Sequence, residues 1–173
     1  MIASAQAVMA AQPDGHIMVV AGNGTAISTS LFKSLPFDVF KDFIQLSTLA
    51  YFDLVMIASP DSRFKTVGEV ITYARSNPGK LNVGTISMGS TQHLTGELFK
   101  SLAKVDMQIV PFKGSPEMIL GLRSGALDVG FEILPAVISQ VRSNGLRLLA
   151  TAGDQRLRLM PNAPTIAESG VPG

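Results

Sequence analysis

Between Gly84 and Leu94 the chain reads Gly-Thr-Ile-Ser-Met-Gly-Ser-Thr-Gln-His-Leu, glycines and short hydroxyls gathered just ahead of a helical pattern. That combination suits an anion. A helix leaves its first backbone N–H groups unpaired and carries partial positive charge at the same end, so a carboxylate or phosphate placed there satisfies both. Gly84 and Gly89 permit backbone angles and close approaches that a Cβ forbids, and Thr85, Ser87, Ser90 and Thr91 offer hydroxyls able to donate to an anionic oxygen. His93, in the first turn, is a further donor, or else a histidine satisfied by solvent or backbone. The plainer alternative is that Ser90 or Thr91 only caps the helix.

Two catalytic motifs are each missed by one residue. A phosphate-binding P-loop needs a lysine where this chain has Ser90, and without that ammonium nucleotide hydrolysis is disfavoured. A nucleophile elbow needs a glycine where Thr85 stands before Ser87, and His93 is too near in sequence for a conventional triad base. Asp53 and Asp61 lack a second carboxylate at recognisable spacing, so no acid/base pair emerges. Glu132, at the end of an expected strand, suits a ligand ammonium or a water, with a hydrogen bond to a neighbouring helix start as the competing role. Lys113 suits the charge of a dicarboxylate or is a solvated loop lysine. The reading is of a binding protein, not an enzyme.

Composition narrows the classes further. With 14 basic and 13 acidic residues and a net charge of +1, the chain carries no electrostatic footprint for nucleic acid. There is no cysteine and there are only two histidines, so no disulfide frame, metal site or cofactor is expected. A hydrophobic fraction of 46% over 173 residues is enough for a real core. The stretch 15–32 has no Lys, Arg, Asp or Glu, but Gly22, Asn23, Gly24 and several Ser and Thr make it a poor membrane helix. Met1-Ile2-Ala3-Ser4-Ala5 lacks the basic start and unbroken apolar core of a signal peptide.

The elements that must position the loop follow from periodicity and punctuation. A short helical pattern runs through Met9, Pro13-Asp14-Gly15 turns, and Ile17 to Val20 reads as a buried strand closed by the loop Gly22-Asn23-Gly24-Thr25. Leu46 to Leu49 and Leu54 to Ile57 read as a second extended pair, interrupted at Tyr51-Phe52-Asp53, a candidate domain crossover. Thr66 and Glu69 form a capping box for a helix with Val67, Val70, Ile71 and Ala74 inward, stopped by Asn77-Pro78-Gly79. Then come a strand to Val83, a helix to about Ala103 with Leu94, Leu98, Phe99 and Leu102 inward, and a strand from Met107 to Val110. A helix capped by Ser115, a strand from Leu127 to Ile133, a helix from Pro135 to Arg142 and a strand from Leu146 to Ala150 complete the alternation. Such alternation argues an α/β fold with mainly parallel sheets, whose ligands sit at the carboxyl ends of the strands.

Several motifs follow one another along the chain: Pro13-Asp14-Gly15, Leu35-Pro36-Phe37-Asp38 with Lys41-Asp42-Phe43, and Asn77-Pro78-Gly79-Lys80-Leu81-Asn82. Gly89-Ser90-Thr91-Gln92-His93-Leu94, Val110-Pro111-Phe112-Lys113-Gly114-Ser115 and Asn162-Ala163-Pro164-Thr165-Ile166-Ala167-Glu168 follow. In this order the chain resembles the Bug-type, TctC-like solute receptors of tripartite tricarboxylate transporters. The resemblance implies a type II periplasmic-binding-protein fold, with one near-complete lobe and part of the other. It assigns 1–53 to a partial first lobe, 54–146 to the second, and 147–173 to the crossover back and more of the first. It places a small carboxylate against Thr85, Ser87, Gly89, Ser90, Thr91 and His93, with Glu132 where the family usually has Asp, and brings Asn23, Gly24 and Thr25 from the other lobe. It implies membrane permease subunits as partners and the periplasm as location. It also implies a chain that begins after the family's first strand and Pro-Gly-Gly loop and stops short of its last elements. Uncovered first-lobe surface then makes self-association an expectation. The rival readings are a remnant that binds nothing and a sensor domain of the same fold.

Overall fold

The computed structural model describes residues 2–172, leaving out the side chain of Leu31. It divides into two compact units, one reaching Ala50 and the other starting at Tyr51, beside the Tyr51-Phe52-Asp53 interruption.

In the first unit, α1 (Ile2–Met9) forms where the helical pattern predicts it. Gly22 is not part of a loop closing a strand: it is the extended N-cap of α2 (Asn23–Leu31), and the Thr25 N–H donates to its carbonyl at 2.8 Å. Neither Ile17 to Val20 nor Leu46 to Leu49 enters a ladder, contrary to the sequence reading, and their apolar side chains are exposed. A strand needs a neighbour for its backbone and a covered face for its side chains; among the described residues of this unit nothing supplies either. The Leu35 to Phe43 motif is a self-contained turn. Phe37 and Phe43 meet edge to face at 5.8 Å, and the Asp38 carboxylate accepts from the Phe40 N–H at 2.9 Å and pairs with Lys41 at 3.2 Å. Those partners, the Phe40 N–H foremost, hold the Asp38 carboxyl below its ordinary range.

The second unit is one five-stranded sheet in the order β3-β2-β4-β1-β5. Its strands are β1 (Leu54–Ala58), β2 (Asn82–Ile86), β3 (Gln108–Phe112), β4 (Val129–Ile133) and β5 (Arg147–Thr151). The sheet is mixed, which corrects the mainly parallel expectation. β2 pairs in parallel with β3 and β4, but β1 lies antiparallel between β4 and β5. Alternation of strands and helices dictates parallel neighbours only where each helix crosses between adjacent strands; it does not constrain the first strand, which pairs with β4 and β5, far from it in sequence. Pro111 lies inside β3 and not in a loop, tolerated because β3 is the edge strand.

One face of the sheet packs on α3 (Val67–Ser76) and α4 (Thr91–Ala103), and the other on α5 (Ser115–Arg123) and α6 (Leu134–Arg142). Thr66 caps α3 as expected, its hydroxyl accepting from the Glu69 N–H at 3.2 Å while the Glu69 carboxylate returns to Lys65 and Thr66. Thr66→Ala should lower stability by about 1 kcal/mol in urea denaturation. α5 is capped by Gly114, and Ser115 is its first residue. Opposite the carboxyl edge, Arg147 gathers the 60–64 loop by donating to the carbonyls of Pro60, Ser62 and Phe64 at 2.7, 2.9 and 3.0 Å.

The motif ending in Glu168 repeats the capping-box chemistry. Glu168 accepts from the Thr165 N–H at 2.8 Å, and its own N–H donates to the Thr165 hydroxyl at 2.9 Å. The Arg156 guanidinium closes on the same carboxylate at 2.9 Å, and the Thr165 N–H together with Arg156 holds the Glu168 carboxyl below its ordinary value of 4.5. A carboxyl whose pKa is lower folded than unfolded stabilises the fold above the unfolded value and loses that contribution as pH falls through the folded one. As the pH falls below 4.5 and through the lowered folded value, protonation should therefore release the turn at Thr165 to Glu168, read as loss of amide protection there.

Candidate functional site

Because β2, β3 and β4 run in one direction, their carboxyl ends bring together the turns that follow Ile86, Phe112 and Ile133. The antiparallel β1 adds its starting end, with Leu54 opposite Ile133, and the Leu134 N–H donates to the Asp53 carbonyl at 2.9 Å. This is the edge where α/β sheets place ligands.

The small-residue loop is shorter than its composition suggests. Gly84 and Thr85 belong to β2 and are buried; the turn is Ser87-Met88-Gly89-Ser90. The Ser90 N–H donates to the Ser87 carbonyl at 3.0 Å, and Gly89 takes φ 79°, the angle a type II turn demands at its third position. Ser87 holds φ 22°, a positive angle seldom seen outside glycine, and its N–H donates to the Phe112 carbonyl at 2.8 Å, tying the turn to β3. Met88 points outward, 79% exposed.

Ser90 caps α4 twice over. Its hydroxyl accepts from the His93 N–H at 3.1 Å and donates to the Ile86 carbonyl at 2.6 Å, while its own carbonyl accepts from the Leu94 N–H. Of the first four helical N–H groups, those of Thr91 and Gln92 are left without a partner among the described residues. So Ser90 is a cap, and two donors still face outward from the helix end. Ser90→Ala should cost about 1 kcal/mol of stability in urea denaturation, independent of any ligand.

Below that end lies a buried polar chain. The Thr91 hydroxyl donates to Gln92 Oε1 at 3.1 Å, and Gln92 Nε2 donates to Glu132 Oε1 at 2.8 Å. The same Glu132 oxygen accepts from the Ile133 N–H at 2.8 Å. Glu132 is fully buried, and its second oxygen, Oε2, has no partner among the described residues; nor do Thr85 Oγ1 and His93 Nδ1. Buried polar atoms without protein partners are rare in native folds and call for a water, an ion, a ligand or local strain to account for them. Among the described residues no three His, Asp or Glu gather as metal ligands.

Gln92 is the member of this polar chain that sequence reasoning missed, and the same error misplaced the leucines of α4, although Phe99 is inward as expected. Leu94, Leu98 and Leu102 are 39%, 56% and 40% exposed, and the buried stripe is Gln92, Gly96, Phe99 and Ala103. A Cβ on Gly96 would stand 3.2 Å from Ile109 Cδ1 and 3.5 Å from Thr85 Cγ2, so the helix lies too close to the sheet for leucines. The signal was available: polar Gln92 shares a helical face with Phe99 and Ala103. Thr85, Ser87, Gly89, Ser90, Thr91, His93 and Glu132 all lie in the second unit, and Asn23, Gly24 and Thr25 form the first turn of α2 in the first unit.

The family model of the tripartite tricarboxylate transporter family receptor, TctC, matches residues 1–173. The chain belongs to that family. Protein BugT of Bordetella pertussis is 29% identical over 92% of this chain, which spans 49% of BugT's length. An R. palustris protein solved with adipate superposes with a TM-score of 0.87 at 30% identity, over 99% of this chain and 58% of its own. MatC from Rhodopseudomonas palustris, solved with malate, superposes at 0.82 and 28% identity, over 99% of this chain and 58% of its own. This TctC-family chain therefore has the receptor fold and spans about half the length of these relatives. Among the described residues no helix is long and apolar enough to cross a membrane.

Proposed function

We propose that this chain is the carboxylate-seating part of a periplasmic receptor that serves the membrane subunits of a tripartite tricarboxylate transporter. One observation carries the reading: the unpartnered N–H groups of Thr91 and Gln92 open at the carboxyl edge of the sheet, above a buried Glu132 whose second oxygen is also unpartnered. A ligand carboxylate takes the two N–H donors at the positive end of α4, with the Ser87 and Thr91 hydroxyls beside them. Glu132 Oε2 accepts from a donor on the ligand or on an intervening water. Membership of a receptor family and the adipate and malate held by two relatives support the class of ligand.

Coverage of about half of the relatives favours a second reading, in which this length of chain retains the seat but binds nothing. Titration calorimetry with adipate, malate, succinate and aspartate separates the two. The proposal expects saturable heat with at least one ligand, weakened about tenfold or more by Gly89→Val, which cannot hold the turn's positive φ. No heat from any member leaves the second reading in place.

A further inference from the structure

Lys113 stands at the same edge as the Ser87 to Ser90 turn. It follows β3, whose register sets Phe112 opposite Ile86, and the Ser87 N–H, donating to the Phe112 carbonyl at 2.8 Å, carries that pairing one step further, at the strand spacing of about 4.8 Å. Alternation along β3 decides the side. Ile109 packs with the core beneath α4, and Val110 and Phe112 pack with the core beneath α5. The next position, Lys113, therefore falls on the α4 face, where the Thr91 and Gln92 N–H groups open.

A cation there works against the fold. Lys113 immediately precedes Gly114, the N-cap of α5, which offers no side-chain cap, and α4 has no acidic residue in its first turn. Both helices turn their positive ends to this edge, where an aspartate or glutamate is favoured and a lysine is not. Glu117, in the first turn of α5, forms no ion pair with it; the Lys113 side chain is exposed and has no ion pair or hydrogen bond among the described residues. It is also the sole lysine or arginine in the turns that follow β2, β3 and β4. Residues that break a local rule without a compensating partner are expected at functional sites. We propose that Lys113 receives the second acidic group of the ligand, so that the site takes a short dicarboxylate. One carboxylate lies on the Thr91 and Gln92 N–H groups and the other on the Lys113 ammonium, whose flexible stem follows acids of different length. The proposal rests on the seating of the first carboxylate at α4 and adds the residue that tells a diacid from a monoacid.

Titration calorimetry of succinate against butyrate, and of adipate against hexanoate, tests it in the parent, Lys113→Gln and Lys113→Arg. The parent should bind each diacid about tenfold or more tightly than the matching monoacid. Lys113→Gln should abolish that preference, the loss falling on the diacid, and Lys113→Arg should keep it. Urea denaturation without ligand gives a second readout: Lys113→Gln should have a higher midpoint than the parent, because it takes a cation away from two positive helix ends. A preference that survives Lys113→Gln, equal weakening of diacid and monoacid, or a lowered urea midpoint overturns the role of Lys113 and leaves the α4 seat standing. Absence of heat from all four acids removes the seat and the role of Lys113 with it.

Discussion

Gly84→Val is expected to destabilise the second unit by about 2 to 3 kcal/mol, an overpacking penalty and not a loop effect. A Cβ at Gly84 would stand 2.6 Å from Leu127 Cδ1 and 2.8 Å from Met118 Cγ, and one at Gly130 would stand 2.8 Å from Met118 Sδ. Gly84 and Gly130 are register partners across β2 and β4, so together they form a side-chain-free floor on which Met118 of α5 lies fully buried. Met118 cannot swing away without displacing Leu122 and Leu127, with which it forms the core on that face. Gly68→Ala is the contrast: the nearest atom to its added Cβ is 3.9 Å away, on the surface of α3, and removing a helical glycine should raise stability by about 0.5 to 1 kcal/mol. Urea midpoints measure both. In the Gly84→Val background, Met118→Ala should cost less than it does alone, because the cavity it opens takes the new methyls. Equal midpoints for Gly84→Val and the parent protein would rule out the overpacking.

That glycine also shows how far the sequence carries and where it stops. Gly84 and Gly89 look alike in a run of small residues, and local pattern makes both of them anion-loop glycines. Only Gly89 has the positive φ of a turn, and Gly84 is there because α5 presses on β2. The distinction depends on a helix far along the chain, which local pattern does not contain. Elements with strong punctuation were legible: the Thr66 capping box, the Asn77-Pro78-Gly79 stop and the Pro135 helix start all appear in the structure. The α4 face was not, because leucine periodicity points to a core where Gly96 enforces a close approach instead. Ile17 to Val20 and Leu46 to Leu49 have strand composition but no ladder partner among the described residues of their unit, and a strand is a property of pairing as much as of sequence. Glu132 was legible as a carboxylate at a strand end, but the network around it was not, since Gln92 meets Glu132 across 40 positions.

Glu132→Gln should leave the second unit as stable as the parent, or more stable by about 1 kcal/mol, while changing what the site accepts. The new amide oxygen can keep both bonds that Glu132 Oε1 takes, from Gln92 Nε2 and the Ile133 N–H, and the amide nitrogen replaces an oxygen that has no donor. Glu132→Leu should behave differently. It strands the buried Gln92 amide and the Ile133 N–H, at about 1 to 3 kcal/mol for each orphaned group. Adding Gln92→Leu should recover part of that loss, since removing both partners of a buried polar pair is far milder than removing one. Denaturation of the parent, the two single leucine variants and the double variant decides whether the pair is coupled: if Gln92→Leu costs as much in the Glu132→Leu background as in the parent, the bond between the two side chains contributes nothing. Ligand binding then separates scaffold from seat. At Oε2 the carboxylate can only accept, whereas the amide nitrogen of the glutamine variant can only donate. A bound acid that offers a hydroxyl or ammonium there should bind about tenfold more weakly to Glu132→Gln, and one that offers a second carboxylate should bind more tightly. Identical affinities for both kinds of acid would place Glu132 in the scaffold alone.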